Sequence, residues 1–336
     1  MAEYRQWREE KRTYLKDVVP LDTPYNLLIE VSSLCNARCL YCGHSRPNHG
    51  VWEGNMSWQL LKEVIRQAKG FPQRLKLVEM FGFGEPLCNP HLAEMIAEVR
   101  RSGIAEKINF TTNALLMTPD RTDAIVAAGV DTIRVSLQGL DGRSYQEVCG
   151  VKIDFDVFRK NLLYLYTHRE NCKVRMKIAD LAIKDLPDGE KRLQELFGDR
   201  ADSLFIEHIL PMYAGVDYDG VDKNIRAQAI HGRENVWQTE INKVCHRPFY
   251  RLRIGAGGTV TAACCDTTRD IRYGHLPEDN IVDLWNGGGH VSFLKMQLRG
   301  ERFRHPVCKD CVLPNDITSE ADLLDPWADE ILARMQ

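Results

Sequence analysis

Cysteines are the residues of this 336-residue chain whose type and spacing most directly indicate chemistry. Three of them, Cys35, Cys39 and Cys42, lie within eight residues in a C-x3-C-x2-C spacing. Five more lie in the last hundred residues, at positions 245, 264, 265, 308 and 311. The odd total of 11 cysteines cannot pair completely as disulfides, and thiolates are soft ligands for iron and zinc. The sequence therefore predicts two separate metal centres.

The first cysteine group is typical of a cubane [4Fe-4S] cluster. Three thiolates hold three of its irons and leave the fourth iron open to a non-protein ligand. A zinc loop is the alternative, with His44 as a candidate fourth ligand, but structural zinc prefers two C-x2-C halves that supply a complete set of four. The spacing therefore favours a cluster with one reactive iron.

Composition excludes several classes of protein. The chain has 44 Lys plus Arg against 47 Asp plus Glu, a net charge of -3 that supplies no strong field for nucleic acid. It has no apolar run of about 18 residues that would cross a bilayer, and residues 1–17 are charged, without the apolar core of a signal peptide. The sequence predicts a soluble, cytoplasmic protein with neither nucleic acid nor a membrane as partner.

The elements that must position the first cysteines alternate between short apolar strands and amphipathic helices. Strands are predicted at residues 25–32, 75–81, 107–112, 132–137, 173–179 and 204–210. Helices are predicted between them at residues 57–69, 91–101, 120–128, 155–168 and 189–197. This alternation predicts a parallel sheet of the α/β class, and six units predict a partial (β/α)6 barrel of the TIM type.

The alternation stops near Pro211, and the remaining chain has a different pattern. Residues 250–263 predict a hairpin around 255–258, and helices are predicted near residues 282–285 and 291–298. A small unit with several cysteines is the kind that a metal centre stabilises. The predicted organisation is an N-terminal extension at 1–23, the barrel at 24–215, a linker at 216–240 and a C-terminal cluster domain at 241–336.

Short motifs follow the ends of the first four predicted strands. The cysteine loop follows the first strand, with Tyr41 before its third cysteine, and the second strand runs into G-F-G-E-P at residues 82–86. T-T-N ends the third strand at residues 111–113, and S-L-Q-G ends the fourth at residues 136–139. In this order the motifs resemble the cysteine loop, GGEP, TTNG and SIDG elements of the radical S-adenosylmethionine (SAM) superfamily.

The resemblance implies a partial barrel that binds SAM and a [4Fe-4S] cluster on Cys35, Cys39 and Cys42. The residues that it implies as SAM contacts are Tyr41, Gly84, Glu85, Asn113, Ser136 and Gln138. Within this set, the backbone at residues 84–85 is implied for the amino group of the methionine moiety, Ser136 for its carboxylate and Gln138 for the ribose. The motifs depart from the family pattern at Phe83, Ala114 and Gln138.

The second cysteine group resembles the SPASM and twitch domains that carry auxiliary iron-sulfur clusters in radical enzymes. The implied ligands of one further [4Fe-4S] cluster are Cys245, Cys264, Cys308 and Cys311. Cys265 is the alternative to Cys264, and a zinc knuckle is the alternative to the cluster. No cysteine follows position 311, which favours the shorter twitch type. A cluster with four protein ligands is saturated, and its expected task is electron transfer.

The implied chemistry begins when an external one-electron donor, such as flavodoxin or ferredoxin, reduces the first cluster. SAM then yields a 5'-deoxyadenosyl radical that abstracts hydrogen from a small-molecule substrate. The leading prediction is oxidation of an aminocyclitol, sugar or nucleotide sugar at a secondary alcohol, with an electron passing to the auxiliary cluster. The alternatives are a sugar epimerase or dehydratase, a ribosomal-peptide maturase, and a zinc-binding scaffold without redox activity.

Candidate catalytic residues come from the last two predicted strands and one loop. Strand alternation puts Arg175 and Lys177 on one face and Val174, Met176 and Ile178 on the other, and one of the two sets points inward. If Arg175 and Lys177 point inward they could bind a carboxylate or phosphate; a solvated or helix-covered position is the alternative. Glu207 and His208 are the candidate bases. Cys149, expected in the loop after the fourth strand, is a candidate hydrogen-atom donor, with packing as the alternative role.

Overall fold

A computed structural model describes residues 12–46, 51–211, 213, 215–223, 225, 242–262, 271–309, 311–315 and 319–336, and the backbone of residues 3–4. Its strands are β1 (Glu3–Tyr4), β2 (Asn26–Ile29), β3 (Leu75–Glu79), β4 (Ala105–Thr112), β5 (Thr132–Leu137), β6 (Lys173–Ala179), β7 (Ser203–Glu207), β8 (Arg251–Ile254), β9 (Thr259–Ala262) and β10 (Arg272–His275). Its helices are α1 (Leu15–Val18), α2 (Trp58–Ala68), α3 (Leu92–Ser102), α4 (Pro119–Ala127), α5 (Gly142–Cys149), α6 (Phe155–His168), α7 (Gly189–Phe197), α8 (Tyr218–Val221), α9 (Ile281–Asn286), α10 (Gly288–Leu298) and α11 (Ala328–Arg334).

Strands β2 to β7 form the centre of the molecule. Each pairs in parallel with the next strand along the chain, and helices connect successive strands. Parallel strands need such crossover connections, which is why β/α alternation in the sequence indicates this topology. The structure confirms the predicted α/β class and the partial (β/α)6 arrangement.

Alternation along the strands separates an apolar face from a polar one. In β6, Val174, Met176 and Ile178 are fully buried in the core between the sheet and the surrounding helices. The alternate residues Arg175 and Lys177 are half-buried on the opposite face. The helices cover the apolar face of β6, so its other face lines the barrel interior. Arg175 and Lys177 are therefore the residues of this strand that point inward.

Local signals explain where the helices begin and end. Ser57 caps α2 by accepting the Leu60 N–H at 3.1 Å, and Asp154 caps α6 by accepting the Val157 N–H at 3.0 Å. Gly150 adopts a φ of 68° at the end of α5, a left-handed conformation that favours glycine. Helix α5 itself was not predicted, because eight residues give too short a periodic pattern to stand out.

The C-terminal hairpin continues the sheet of the barrel. Its strands β8 and β9 pair antiparallel as predicted, and β9 pairs with β10, which the sequence analysis did not predict. Strand β8 also pairs in parallel with β2, with Arg253 opposite Leu28. The boundaries placed at residues 23, 215 and 240 stay a prediction. No helix in the described part of the chain has the length and apolar character needed to cross a membrane.

Candidate active site and auxiliary cluster site

The cysteine loop leaves the end of β2 and is held from two sides. On one side, Ser33 donates its N–H to the Gly54 carbonyl at 3.0 Å. On the other side, the N–H groups of Arg38 and Leu40 donate to carbonyls at the end of α5, at 2.9 and 3.0 Å. Cys39 lies between these last two bonds, so the backbone of the central cysteine is fixed against a helix end.

The three thiols of the loop suit a cationic cluster. Cys35, Cys39 and Cys42 are half-buried, and burial, followed by the charges of neighbouring acidic groups, raises the pKa of Cys35 to about 12. Thiols that stay protonated in the absence of a cation become thiolates when iron compensates their charge. Among the described residues, no three His, Cys, Asp or Glu side chains converge tightly enough to hold a metal ion by themselves. The fit to an iron-sulfur cluster therefore rests on the chemistry of the three thiols and on their positions in one loop.

Cys149 lies immediately behind this loop. It is the last residue of α5 rather than a loop residue, it is fully buried, and its Sγ donates to the Tyr145 carbonyl at 2.9 Å. A hydrogen bond with Cys149, followed by burial, raises the pKa of Cys39. Its role as a hydrogen-atom donor stays a prediction.

The loop at residues 82–86 packs directly on the cysteine loop. A Cβ on Gly84 would lie 2.4 Å from the Leu34 carbonyl oxygen, so only glycine fits at this approach. The next residue, Glu85, donates its N–H to the same Leu34 oxygen at 2.7 Å. Its buried carboxylate accepts hydrogen bonds from Thr112 Oγ1 at 2.6 Å and from the Asn113 N–H at 2.7 Å. One glutamate thus joins the ends of β3 and β4 to the cysteine loop.

The other predicted SAM contacts lie around the same loop. Asn113 Nδ2 donates to Asn36 Oδ1 at 2.8 Å, and the Tyr41 hydroxyl donates to Gln138 Oε1. Ser136 is half-buried one strand position before Leu137, on the inward side of β5. The structure therefore brings the six predicted positions to one end of the barrel, at the carboxyl ends of β2 to β5. Their contacts with SAM stay a prediction.

Two ion pairs lie at the carboxyl ends of β6 and β7. Lys177 Nζ is 2.5 Å from Glu207 Oε2, with side chains 26% and 37% exposed. His208 Nδ1 is 2.7 Å from Oδ2 of Asp180, a residue that the sequence analysis did not single out. Parallel strands bring both pairs to the end of the barrel that carries the cysteine loop. The three predicted candidates on these strands are thus neighbours at an accessible site.

The segment that follows β7 contacts the cysteine loop. The Tyr218 hydroxyl, on α8, donates to the Tyr41 carbonyl at 3.3 Å and accepts the Tyr213 N–H at 3.0 Å. Tyr218 is itself 1% exposed and packs with Ile209 and Val216 in a small apolar cluster. Tyr218 lies within the predicted linker at residues 216–240, and through it this segment contacts the cysteine loop.

The barrel interior contains a charge network that sequence analysis missed. Glu79 on β3 is almost fully buried and lies 3.2 Å from Arg134 of β5 and 2.6 Å from Arg251 of β8. Burial alone would raise the pKa of Glu79, but the two arginines hold it below its ordinary value. No local pattern marks these residues as partners, because they come from three strands far apart in the sequence.

The second cysteine group is also gathered by buried polar side chains. Gln297 Oε1 accepts the Cys245 N–H at 3.2 Å, and Gln297 Nε2 lies 3.8 Å from Cys308 Sγ. Arg302, which is 1% exposed, donates to the carbonyls of Cys308 and Cys311 at 2.7 and 3.1 Å. These contacts bring three of the four predicted ligands together.

The electrostatics of this second group resemble those of the first. Burial, followed by the charge of Cys311, raises the pKa of Cys245 to about 12, so a cation is needed to stabilise its thiolate. This donor chemistry fits an iron-sulfur cluster. Cys264 and Cys265 lie outside the described residues, and the choice between them stays a prediction.

Comparison with known proteins assigns families to both regions. The profile of the radical SAM superfamily matches residues 29–178, and that of the SPASM iron-sulfur cluster-binding domain matches residues 245–312. The chain is 22% identical to the tungsten-containing aldehyde ferredoxin oxidoreductase cofactor-modifying protein of Pyrococcus furiosus, over 90% of this chain and 92% of that protein.

Solved structures show the same fold at low sequence identity. BtrN in complex with AdoMet and 2-DOIA superposes with a TM-score of 0.57 at 18% identity, over 85% of this chain and 92% of BtrN. Streptococcus suis SuiB bound to the precursor peptide SuiA superposes with a TM-score of 0.61 at 17% identity, over 89% of this chain and 72% of SuiB. Both similarities extend through the barrel and the C-terminal region.

Proposed function

Because the chain belongs to the radical SAM superfamily and carries a C-terminal SPASM domain, we propose that it oxidises a secondary alcohol of a small polyhydroxylated substrate. The substrate class is an aminocyclitol, a sugar or a nucleotide sugar. The cofactors are SAM, the [4Fe-4S] cluster of the radical SAM domain and auxiliary iron-sulfur chemistry in the SPASM domain. When bound, they supply a radical that removes a hydrogen atom and an acceptor for one electron.

The observation that carries this proposal is the polar lining of the barrel interior. Arg134 and Ser136 of β5, Arg175 and Lys177 of β6 and Glu207 of β7 are all half-buried on the inward side. The residues that alternate with them on β5 and β6 are buried against the helices. A lining with several donors and acceptors suits a ligand with several hydroxyl groups, because each hydroxyl that leaves water needs a partner.

Lys177 and Glu207 are the proposed catalytic residues. Removal of a hydrogen atom from a carbinol carbon makes the hydroxyl on that carbon more acidic. Oxidation to the carbonyl would be completed when that hydroxyl loses its proton and the resulting radical anion gives one electron to the auxiliary acceptor. Glu207 Oε2, 2.5 Å from Lys177 Nζ, is the proposed proton acceptor. The ammonium group of Lys177 holds the carboxylate in place and donates a hydrogen bond to the substrate oxygen. His208, paired with Asp180, is the proposed second base.

A small-molecule target also agrees with the name of the Pyrococcus furiosus relative, which is a cofactor-modifying protein. A peptide is the second candidate substrate. It is favoured by the superposition on SuiB, whose structure contains a precursor peptide. The partly exposed side chains of the Lys177–Glu207 pair leave this end of the barrel accessible to either kind of substrate.

The test is an anaerobic assay of the reconstituted holoenzyme with a panel of polyols, nucleotide sugars and peptides deuterated at candidate carbons. We expect deuterium from a secondary carbinol to appear in 5'-deoxyadenosine, and Glu207→Gln to lower substrate oxidation about 100-fold or more. The matched control is Asp202→Asn, which breaks the pair with Arg169 (2.9 Å) at the opposite end of β7. It is expected to keep turnover.

Two results would contradict the proposal. Label transfer only from peptides would replace the substrate class by the second candidate. Unchanged oxidation in the Glu207→Gln protein would show that this carboxylate is not the proton acceptor, while leaving the polyol substrate in place.

A further inference from the structure

We propose that Glu30 is a positioning residue that couples the hairpin of the SPASM domain to the SAM-binding loop at residues 82–86. The inference rests on the proposed contact between that loop and SAM. It concerns a residue that no sequence motif marks, one position after the end of β2 and five before the first cysteine of the loop.

The carboxylate of Glu30 has partners in both the SAM-binding loop and the hairpin. It is fully buried, and its Oε1 accepts the Phe83 N–H at 2.6 Å and lies 2.9 Å from Arg253 Nη2. Its Oε2 accepts the Ala256 N–H at 3.1 Å. Phe83 belongs to the SAM-binding loop, whereas Arg253 and Ala256 belong to the hairpin. One side chain therefore connects the two parts directly.

The SAM-binding loop is closely fitted to this carboxylate. A Cβ on Gly82 would lie 2.6 Å from both Cγ and Oε1 of Glu30, so glycine at this position makes room for the glutamate. On its other side the loop is fixed by the bond from the Glu85 N–H to the Leu34 carbonyl at 2.7 Å. The loop is thus held between Glu30 and the cysteine loop, and its position depends on both.

The hairpin determines where the carboxylate lies. Strand β8 pairs with β2, and the Glu30 N–H donates to the Ile254 carbonyl at 2.9 Å. Arg253 is 7% exposed, so water does not screen its attraction for the carboxylate. A buried carboxylate that loses its cation is strongly disfavoured. A displacement of the hairpin would therefore move the Glu30 carboxylate, and with it the Phe83 N–H that donates to this carboxylate.

Glu79 provides a matched comparison within the same barrel. It is also buried, and it also pairs with an arginine of β8, because Arg251 Nη2 lies 2.6 Å from Glu79 Oε2. Its other partners are Arg134 of β5 and Asn26 of β2, at 3.2 and 3.3 Å. Glu79 thus shares the burial, the charge and the partner strand of Glu30, but its bonds run across the barrel interior.

The experiment compares Glu30→Gln with Glu79→Gln in the anaerobically reconstituted holoenzyme. The dissociation constant of SAM is measured by equilibrium dialysis, together with iron content and thermal unfolding. We expect Glu30→Gln to raise the SAM Kd roughly tenfold with unchanged iron, since a hydrogen bond to a charged group that orders the loop is weakened. Glu79→Gln is expected to lower the unfolding temperature and to change the SAM Kd by less than about twofold.

A wild-type SAM Kd in the Glu30→Gln protein would overturn the inference, and so would an equal rise in both variants, which would indicate general destabilisation. Arg253→Gln gives a second route if Glu30→Gln does not fold. It is expected to raise the SAM Kd in the same direction, and an unchanged Kd would count against the coupling.

The variant Gly84→Ala separates this inference from the assignment of the loop. Its Cβ would press on the Leu34 carbonyl oxygen of the cysteine loop and so displace the loop at residues 82–86. If Gly84→Ala raises the SAM Kd and Glu30→Gln does not, the loop binds SAM but Glu30 does not position it. If neither variant changes the Kd, the assignment of residues 82–86 to SAM is itself wrong.

Discussion

Cys39 shows how much the position of a single thiol depends on its neighbours. The residues on either side of it donate backbone hydrogen bonds to the carbonyls of Cys149 and Val148 at the end of α5. We expect Cys39→Ala to abolish SAM cleavage, because a cubane left with two protein ligands is not retained. Iron analysis after anaerobic reconstitution should fall from about eight to about four atoms per chain.

Cys172→Ala is the control for this variant. Cys172 is buried in the main core, and its loss removes packing and a long thiol hydrogen bond to the Lys173 carbonyl at 3.6 Å. It should leave iron content and SAM cleavage at the wild-type level. Retention of SAM cleavage in Cys39→Ala would mean that the first cluster has been assigned to the wrong cysteines.

His290 links stability to pH. It lies on α10, with Nδ1 2.6 Å from the Trp285 carbonyl oxygen and Nε2 3.0 Å from that of Pro248. Burial lowers the pKa of His290 below its ordinary value of about 6.5. Below that pH the unfolded chain binds a proton that the folded chain does not, so the free energy of unfolding decreases as the pH falls.

We expect His290→Gln to reduce this pH dependence. Denaturant unfolding at about pH 7.5 and about pH 5.5 should show a smaller loss of stability in the variant than in the wild type. Part of the dependence should remain, because burial also lowers the pKa of His246. His168→Gln, at an exposed position, is the control. An unchanged slope in His290→Gln would show that His290 does not titrate with folding.

Helix α5 is the element on which the cysteine loop rests. Asp141 begins it with a capping box, in which its Oδ1 accepts the Ser144 N–H at 2.8 Å. Replacement of such a cap by alanine costs about 1 kcal/mol. We expect Asp141→Ala to lower the free energy of unfolding by that amount and to accelerate the loss of iron to a chelator, because the helix end anchors Arg38 and Leu40.

Asp154→Ala is the matched control at the element scale. Asp154 caps the neighbouring helix α6 through the Val157 N–H at 3.0 Å, so its loss has a similar cost in stability. Iron release in this control should stay at the wild-type rate. Equal rates of iron loss in the two variants would argue against a specific support of the cluster loop by α5.

At the scale of the whole molecule, the barrel and the SPASM hairpin share one sheet. Strand β8 lies between β2 and β9, and it contributes Arg251 and Arg253 to buried carboxylates of the barrel. Removal of the hairpin would leave β2 as an edge strand with unpaired backbone groups. It would also remove Arg253 from Glu30 and Arg251 from Glu79.

We therefore expect a chain ended after residue 225 to be largely insoluble. A broken buried ion pair costs about 3–5 kcal/mol, which is a large share of the stability of a typical domain. The measurements are soluble yield and thermal unfolding by circular dichroism. The double substitution Glu30→Gln and Glu79→Gln in the same short chain should recover part of the soluble protein. Cooperative unfolding of the short chain at the full-length temperature would contradict the prediction.

The sequence by itself determined the features that depend on local patterns. Cysteine spacing indicated both cluster sites, and the alternation of apolar strands with amphipathic helices indicated the parallel sheet. The short motifs after four strands indicated the family, which the comparisons confirmed. Strands β5 and β6 and helices α6 and α7 have the predicted bounds. These features are legible because strand and helix periodicity, turns and ligand spacing all act over a few residues.

Only the tertiary structure decided which distant residues meet. The support of the cysteine loop by α5, the gathering of cysteines by Arg302 and the pairing of Glu79 with Arg134 and Arg251 leave no trace in local periodicity. The same holds for Glu30, whose role depends on the register of β8 against β2, more than 220 residues away in the chain. A buried charge is stable only where the fold brings its partner, and that register is set by the packing of the whole sheet.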